Sequence, residues 1–460
     1  MHIVLLCGGS GKRLWPLSNE LRSKLFVDIL PSPAGGRESM MGRVCRQLES
    51  LHLLDSTIII SHQDQVNITT RHTQGKIPVI GEPFKRGTFT AAALATLYLQ
   101  SFGLAGADDM ICIVPADVFA SEEFFSSFRL LPDILKQSDA DIALIGTRPT
   151  HASEQYGYIL PDKKEQDVYS AVTQFIEKPD ASIAEALIRR GALWNSGVYA
   201  FSLAFILSHI EKSGLPVHYE QLLTLYEQLP ERSFDKQVAE QTQRAVVLPY
   251  NGVWQDIGSW GALCAQLDSN VFGKGGISGQ SSDSHIVNVL PYPIQIIGVP
   301  GIIAAASTDG ILIANKKNSN EIKEQLGSEP LQSMYGEATW GSYRVMERAL
   351  EDENTTVTTS SIILLPGKHI GLRQHRSGCK AWTILSGSGQ VFINEEIMQV
   401  TAGNQFAIIL KGLYSILAET RMVILEARIG GPEDEDRALF VEEDDWKVII
   451  ERAGSNKSLD

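Results

Sequence analysis

The chain has 460 residues, 43% apolar and 20% charged, a soluble globular composition at a length beyond one ordinary hydrophobic core, so two or three domains are expected. Forty Lys and Arg against fifty-four Asp and Glu give a formal net charge of −14, which excludes broad, sequence-independent binding to a nucleic acid polymer or an anionic membrane. A phosphorylated substrate would need a local basic pocket.

Along the first half, short apolar runs alternate with helix-like stretches. IVLLC at 3–7, TIIIS at 57–61, MICIVP at 110–115 and DIALIG at 141–146 read as buried strands, and 38–54 and 90–102 read as helices. This alternation predicts an α/β, Rossmann-like domain with a mostly parallel sheet, whose ligands lie beyond the carboxyl ends of the strands. Near 265 the pattern changes: 284–316 carries repeated short β-runs broken by Pro and Gly. From 335 onward TTVTTSSIILLPG, WTILSGSGQVFI, NQFAIIL and RMVILEARIG suggest a small all-β sandwich or barrel. The expected divisions are 1–265 for the α/β domain, 266–334 for a β-rich connector, 335–447 for a β-barrel with an acidic end, and 448–460 for a tail. No internal repeat has a clear period. Residues 431–447 carry eight acids and two bases, −6 of the −14, and read as a solvated acidic segment.

Five scattered cysteines show no metal or redox spacing and fit reduced thiols in the cytoplasm. MHIVLLCGG lacks the basic start of a signal peptide. No stretch approaches the roughly eighteen apolar residues of a membrane span.

The most informative segment follows the first predicted strand: Gly8, Gly9, Ser10, Gly11, Lys12, Arg13. Glycines at this density let backbone amides approach an anion. The segment is not a P-loop, because Leu6 stands where the leading glycine belongs, nor a dinucleotide fingerprint, because Leu14 replaces the third glycine. Lys12, Arg13, Arg22 and Lys24 against Glu20 form a +3 island in an acidic protein. A surface turn with solvated bases is the plain alternative.

GGSGKRLWPLSNELRSKLF at 8–26 resembles the signature of sugar-1-phosphate nucleotidylyltransferases, in particular mannose-1-phosphate guanylyltransferases. The resemblance continues in family order through VPAD at 114–117, TRPTHASEQYGYI at 147–159, FIEKPD at 175–180, LWNSGVYAF at 193–201 and WQDIGSW at 254–260. It implies attack by a sugar-1-phosphate oxygen on the α-phosphorus of an NTP, with GTP favoured, mannose-1-phosphate or a related manno-sugar as acceptor, and pyrophosphate as leaving group. By resemblance, Arg13, Lys24 and Lys178 are the catalytic cations. Leu6, Gly8, Gly9, Ser10, Gly11, Lys12, Arg86, Thr88, Pro115 and Ala116 would bind nucleotide; Gly157, Glu177 and Asn195 would bind sugar; Asp117 and Asp256 would hold Mg²⁺. Trp194, Trp254 and Trp260 read as core or surrounding aromatics.

This chain departs from the family form at Lys12, Leu25, Gly87 and Val118. Another base, another sugar such as a heptose-1-phosphate, or a non-catalytic NDP-sugar-binding regulator therefore stay open, as does a homo-oligomer. ATWGSYRVME at 338–347 resembles the start of the C-terminal cupin domain of long family members, which isomerises mannose-6-phosphate with a bound metal. Here Lys380 and Ala381 replace its Glu and His, and Ser415 its later His, leaving Gln374 and His375. No isomerase activity is expected of it.

Overall fold

The computed structural model describes residues 1–8, 12–162, 168–327, 333–350, 355–376, 378–393, 396–430, 437–438, 446 and 448. Gly9, Ser10, Gly11, the Lys12 side chain and most of the acidic segment 431–447 lie outside the described residues. The chain divides into two units. The first comprises Met1–Leu14, Ser23–Asn270 and Lys316–Glu321; the second comprises Trp15–Arg22, Val271–Asn315 and Ile322–Asp460.

The first unit is built on nine strands. They are β1 (His2–Cys7), β2 (Thr57–His62), β3 (Val79–Glu82), β4 (Met110–Pro115), β6 (Ile142–Thr147), β7 (Tyr158–Pro161), β8 (Ser170–Ile176), β9 (Leu193–Ser202) and β10 (Ala245–Tyr250); β5 (Val118–Ala120) and β11 (Trp254–Asp256) form a separate ribbon. The sheet order is β3-β2-β1-β4-β9-β6-β10-β8-β7, and β9 also pairs with β7, so five of the strands close into a ring. The parallel pattern runs across β3, β2, β1 and β4 and again between β6 and β10. Strand β9 runs antiparallel to β4 and β6 and joins the two groups.

The expected helices are Met40–Ser50 and Gly87–Ser101. The first starts where the Ser39 hydroxyl accepts from the Gly42 amide at 3.1 Å, satisfying an amide that the helix itself cannot. The second is apolar on nearly every face, and ten of its residues are buried, as expected of a helix enclosed in a core. It packs with Val4, Ile60, Ile113, Leu144, Phe201 and Phe234.

In the second unit the connector is a short parallel β-coil. Val271 aligns with Ile286, Ile286 with Ala304 and Gly275 with Ile294. These offsets of 15, 18 and 19 residues differ from rung to rung, which is why no period stands out in the sequence. The C-terminal strands form a six-stranded and a five-stranded sheet. Their inner faces meet around Trp382, Ile384, Ile424, Val391, Ile416 and Tyr414.

Inside that sandwich Lys380 is buried; its Nζ donates to the Tyr414 hydroxyl at 3.0 Å and pairs with Glu426 Oε2 at 3.6 Å. The same Glu426 oxygen accepts from Trp382 Nε1 at 2.8 Å. His375 is 1% exposed, with Nε2 3.3 Å from the Gly378 carbonyl oxygen, and the Ser415 hydroxyl donates to the Ile370 carbonyl. Among the described residues no group of three or more His, Cys, Asp or Glu is arranged to hold a metal. Lys380→Ala would leave Glu426 without its cation and is expected to lower the free energy of chemical denaturation by about 3 kcal/mol. Converting both partners in Lys380→Met/Glu426→Leu should recover only part of that loss, because Trp382 Nε1 and the Tyr414 hydroxyl then lose their partners.

Candidate active site

Leu6, Gly8, Pro115 and Ala116 lie at the carboxyl ends of the parallel strands β1 and β4, whereas Gly157 precedes β7 and Asn195 lies near the start of the antiparallel β9. Leu6 aligns with Pro115, and the Ala116 amide donates to the Leu6 carbonyl at 3.1 Å, so the end of β1, Gly8 and the PAD turn lie together. Gly197, at φ +78°, abuts Pro115; a Cβ there would stand 2.7 Å from Pro115 Cγ.

Asp117 and Asp256 lie far apart in sequence, and the β5–β11 ribbon makes them neighbours. It places Asp256 opposite Val118, one residue after Asp117. Between them stands Lys24, whose Nζ is 2.7 Å from Asp117 Oδ2 and 3.4 Å from Asp256 Oδ1. Burial alone would push the Lys24 ammonium down; the two carboxylate charges outweigh it and hold the group above its ordinary value. Burial lifts the Asp256 carboxyl, Lys24 opposes the lift, and the Asp117 charge adds to it. Arg13 is exposed, and its charge acts on Asp256, Lys178 and Tyr156. Arg22 belongs elsewhere: it pairs with Glu337 at 3.1 Å and lies over the Tyr335 ring at 4.9 Å. Its part of the +3 island is neutralised within the second unit.

Gly157, Glu177 and Asn195 meet as a second cluster. A Cβ on Gly157 would stand 2.6 Å from Glu177 Oε2 and 3.3 Å from Asn195 Cβ, and the Asn195 amide donates to the Gly157 carbonyl at 2.8 Å. Glu177 pairs with Lys178 at 2.9 Å across a left-handed turn, Lys178 having φ +47°. Burial and then the Asp235 charge raise the Glu177 carboxyl above its ordinary value, against the pull of Lys178. For Lys178 itself, burial pushes the ammonium down and Glu177 more than restores it.

Arg86 and Thr88 are engaged with the segment 226–234. The Arg86 guanidinium donates to the Tyr226 carbonyl at 3.2 Å and to the Glu227 carbonyl, and Thr88 Oγ1 accepts from the Phe234 amide at 2.8 Å. Three residues escaped the sequence reading. Asp235 accepts from Asn195 and Tyr199. Tyr156 lies in the fields of Asp256, Lys24 and Arg13 and packs on Trp194, ring centroids 4.7 Å apart, and on Trp254 at 5.8 Å. Tyr156 and Tyr199 sit inside recognised motifs; for Asp235, in SFDKQ, no local signal marked it.

Paired carboxylates around a lysine and a polar cluster on a mixed α/β sheet fit a nucleotide-handling transferase. The chain belongs to the nucleotidyl transferase family, whose model matches residues 2–269. It is similar to the alginate biosynthesis protein AlgA of Pseudomonas fluorescens, 26% identical over 431 residues and 86% of each chain. It is likewise similar to the mannose-1-phosphate guanylyltransferase RfbM of Salmonella typhimurium, 26% identical over 86% of this chain and 87% of that one. Among solved structures, one described as a mannose-1-phosphate geranyltransferase from Thermus thermophilus superposes with a TM-score of 0.60 at 26% identity, covering 71% of this chain and 98% of that chain.

Gly157→Ala should displace Glu177, because the added carbon would sit 2.6 Å from its carboxylate oxygen. The expected outcome is binding of a nucleotide sugar weakened by about tenfold or more, read by calorimetric titration, with the melting temperature preserved.

Proposed function

We propose that the protein transfers a guanylyl group from GTP to mannose-1-phosphate, giving GDP-mannose and pyrophosphate. The observation that carries this reading is Lys24 held between Asp117 and Asp256 just beyond the end of β4. The similarity to RfbM along most of both chains supports guanine and mannose.

Two polyanions must meet for this reaction, so the residues act by positioning and by cancelling charge. A sugar-1-phosphate oxygen attacks the α-phosphorus, the bond from that phosphorus to the bridging oxygen breaks, and pyrophosphate leaves with the electron pair. The exposed Arg13 guanidinium grips triphosphate oxygens two at a time. Lys24, its proton secured by two carboxylates, stays cationic at neutral pH and neutralises charge at the phosphates. Lys178, 59% exposed, reaches the phosphate of the sugar while Glu177 accepts from sugar hydroxyls. Asp117 and Asp256 are hard oxygen donors whose carboxylates already converge on one cation, which fits Mg²⁺; the ion would supply further charge neutralisation on the nucleotide phosphates.

The C-terminal barrel is read as lacking isomerase activity, because Lys380 already provides a buried cation there. Four buried free thiols, Cys7, Cys45, Cys112 and Cys264, support a reducing, cytoplasmic setting. No helix among the described residues is long and apolar enough to cross a membrane.

Pyrophosphate release from NTPs crossed with sugar-1-phosphates, with and without Mg²⁺, tests the reading. GTP with mannose-1-phosphate should be the fastest pair and should stop when EDTA removes the metal; no turnover by any pair, alongside NDP-sugar binding, would show a regulator instead. Asp256→Asn is expected to reduce turnover by about a hundredfold or more while leaving the melting temperature unchanged. Isomerisation of mannose-6-phosphate with added Zn²⁺ or Co²⁺ would overturn the reading of the barrel.

A further inference from the structure

Asn195 is the residue of the second cluster whose hydrogen-bonding capacity is most fully engaged. Its Nδ2 donates to the Tyr199 hydroxyl at 2.5 Å and to Asp235 Oδ1 at 3.0 Å, and its Oδ1 accepts from the Gly197 amide at 3.0 Å. An amide nitrogen carries two hydrogens, so both donors of Asn195 are directed at protein atoms. The Tyr199 hydroxyl in turn donates to Asp235 Oδ1, whose other oxygen accepts from the Ser233 hydroxyl at 3.1 Å. Four side chains therefore form one directed chain of hydrogen bonds, with the fully buried Tyr199 hydroxyl at its centre.

A deformation of β9 makes this chain possible. In a regular strand, residues four apart are separated by about 13 Å, too far for an asparagine amide to meet a tyrosine hydroxyl. In β9, Asn195 pairs with Gly146 and Tyr199 with Leu144, so four residues of β9 span two of its neighbour. This bulge shortens the strand between the two side chains, and Gly197 at φ +78° supplies the backbone freedom it needs.

We propose that Tyr199 is a positioning residue of the sugar subsite. Its hydroxyl locks Asn195 and Asp235 together, leaving acceptor oxygens of Asn195, Asp235 and Glu177 as the cluster's capacity for ligand hydroxyls. This inference rests on the reading of the Gly157–Glu177–Asn195 cluster as the place where the sugar of a sugar-1-phosphate binds. The subsite takes its ligand through hydroxyls that donate, and Tyr199 acts on the ligand only through the side chains that it holds.

Tyr199→Phe tests this, since it removes one oxygen and keeps the ring that packs on Phe234 with centroids 4.8 Å apart. Loss of a buried hydrogen bond to a carboxylate should raise the KM for mannose-1-phosphate by about tenfold, with kcat and the KM for GTP within about twofold of wild type. Asp235→Asn, which removes the charge at the other end of the bond, should give the same split. An unchanged KM for mannose-1-phosphate, or equal losses for both substrates with a lowered melting temperature, would overturn the proposal. Should the wild type turn over no substrate pair, the proposed function fails and the positioning role is decided by titration with GDP-mannose alone. Weaker binding by Tyr199→Phe then supports it; equal binding, or no binding by the wild type, overturns it.

Discussion

Two carboxylates brought side by side in a partly buried site repel each other, and each resists ionisation as water is withdrawn. Asp117 and Asp256 stand in that position because one ends the turn after β4 and the other lies on a ribbon paired with it. The Lys24 ammonium between them removes the conflict, and the rest of the site is arranged around this triad. The carboxylates keep the lysine charged, the lysine keeps the carboxylates tolerable, and the set presents both signs of charge in one partly exposed site. Arg13 adds an exposed cation whose field reaches the same aspartate.

The same physics appears in the second unit with the opposite outcome. Lys380 and Glu426 also form a lysine–carboxylate pair, yet Tyr414 and Trp382 complete their hydrogen bonds. Satisfied in this way, a buried pair is part of the core. The first pair is open, with Asp117 and Asp256 each about one third exposed; the second is enclosed by two sheets. Exposure separates a pair that can exchange partners with a ligand from one that holds a fold.

The signature 8–26 is divided between the units: Arg13 and Lys24 belong to the first and Trp15–Arg22 to the second. Within the second unit Trp15 lies against Gly310, where a Cβ would stand 2.3 Å from the indole, and the Ser307 hydroxyl donates to the Pro16 carbonyl at 2.5 Å. Asn19 donates to Asp309 at 2.8 Å, and Arg22 pairs with Glu337. A motif that reads as one phosphate-binding stretch thus contains a segment whose side chains serve packing and ion pairing.

Much of the molecule was legible in its sequence because it depends on local patterning. Apolar runs became strands within a residue or two, since a strand buried on both faces must be apolar throughout. PAD, EKPD, WNSG and WQDIG are short stretches that stand out in the sequence, and the candidate site residues Asp117, Glu177, Lys178, Asn195 and Asp256 lie in them. What only the tertiary structure decided was which groups meet. The antiparallel insertion of β9, the coil with unequal rungs, the commitment of Arg22 and Arg86 to other partners, and the Asn195–Tyr199–Asp235 chain all depend on contacts between residues distant in sequence or on a bulge with no compositional mark. Charge shows the same division: the composition determined a total of −14, and folding determined that Arg22 is paired with Glu337 and Lys24 with two aspartates while Arg13 stays exposed.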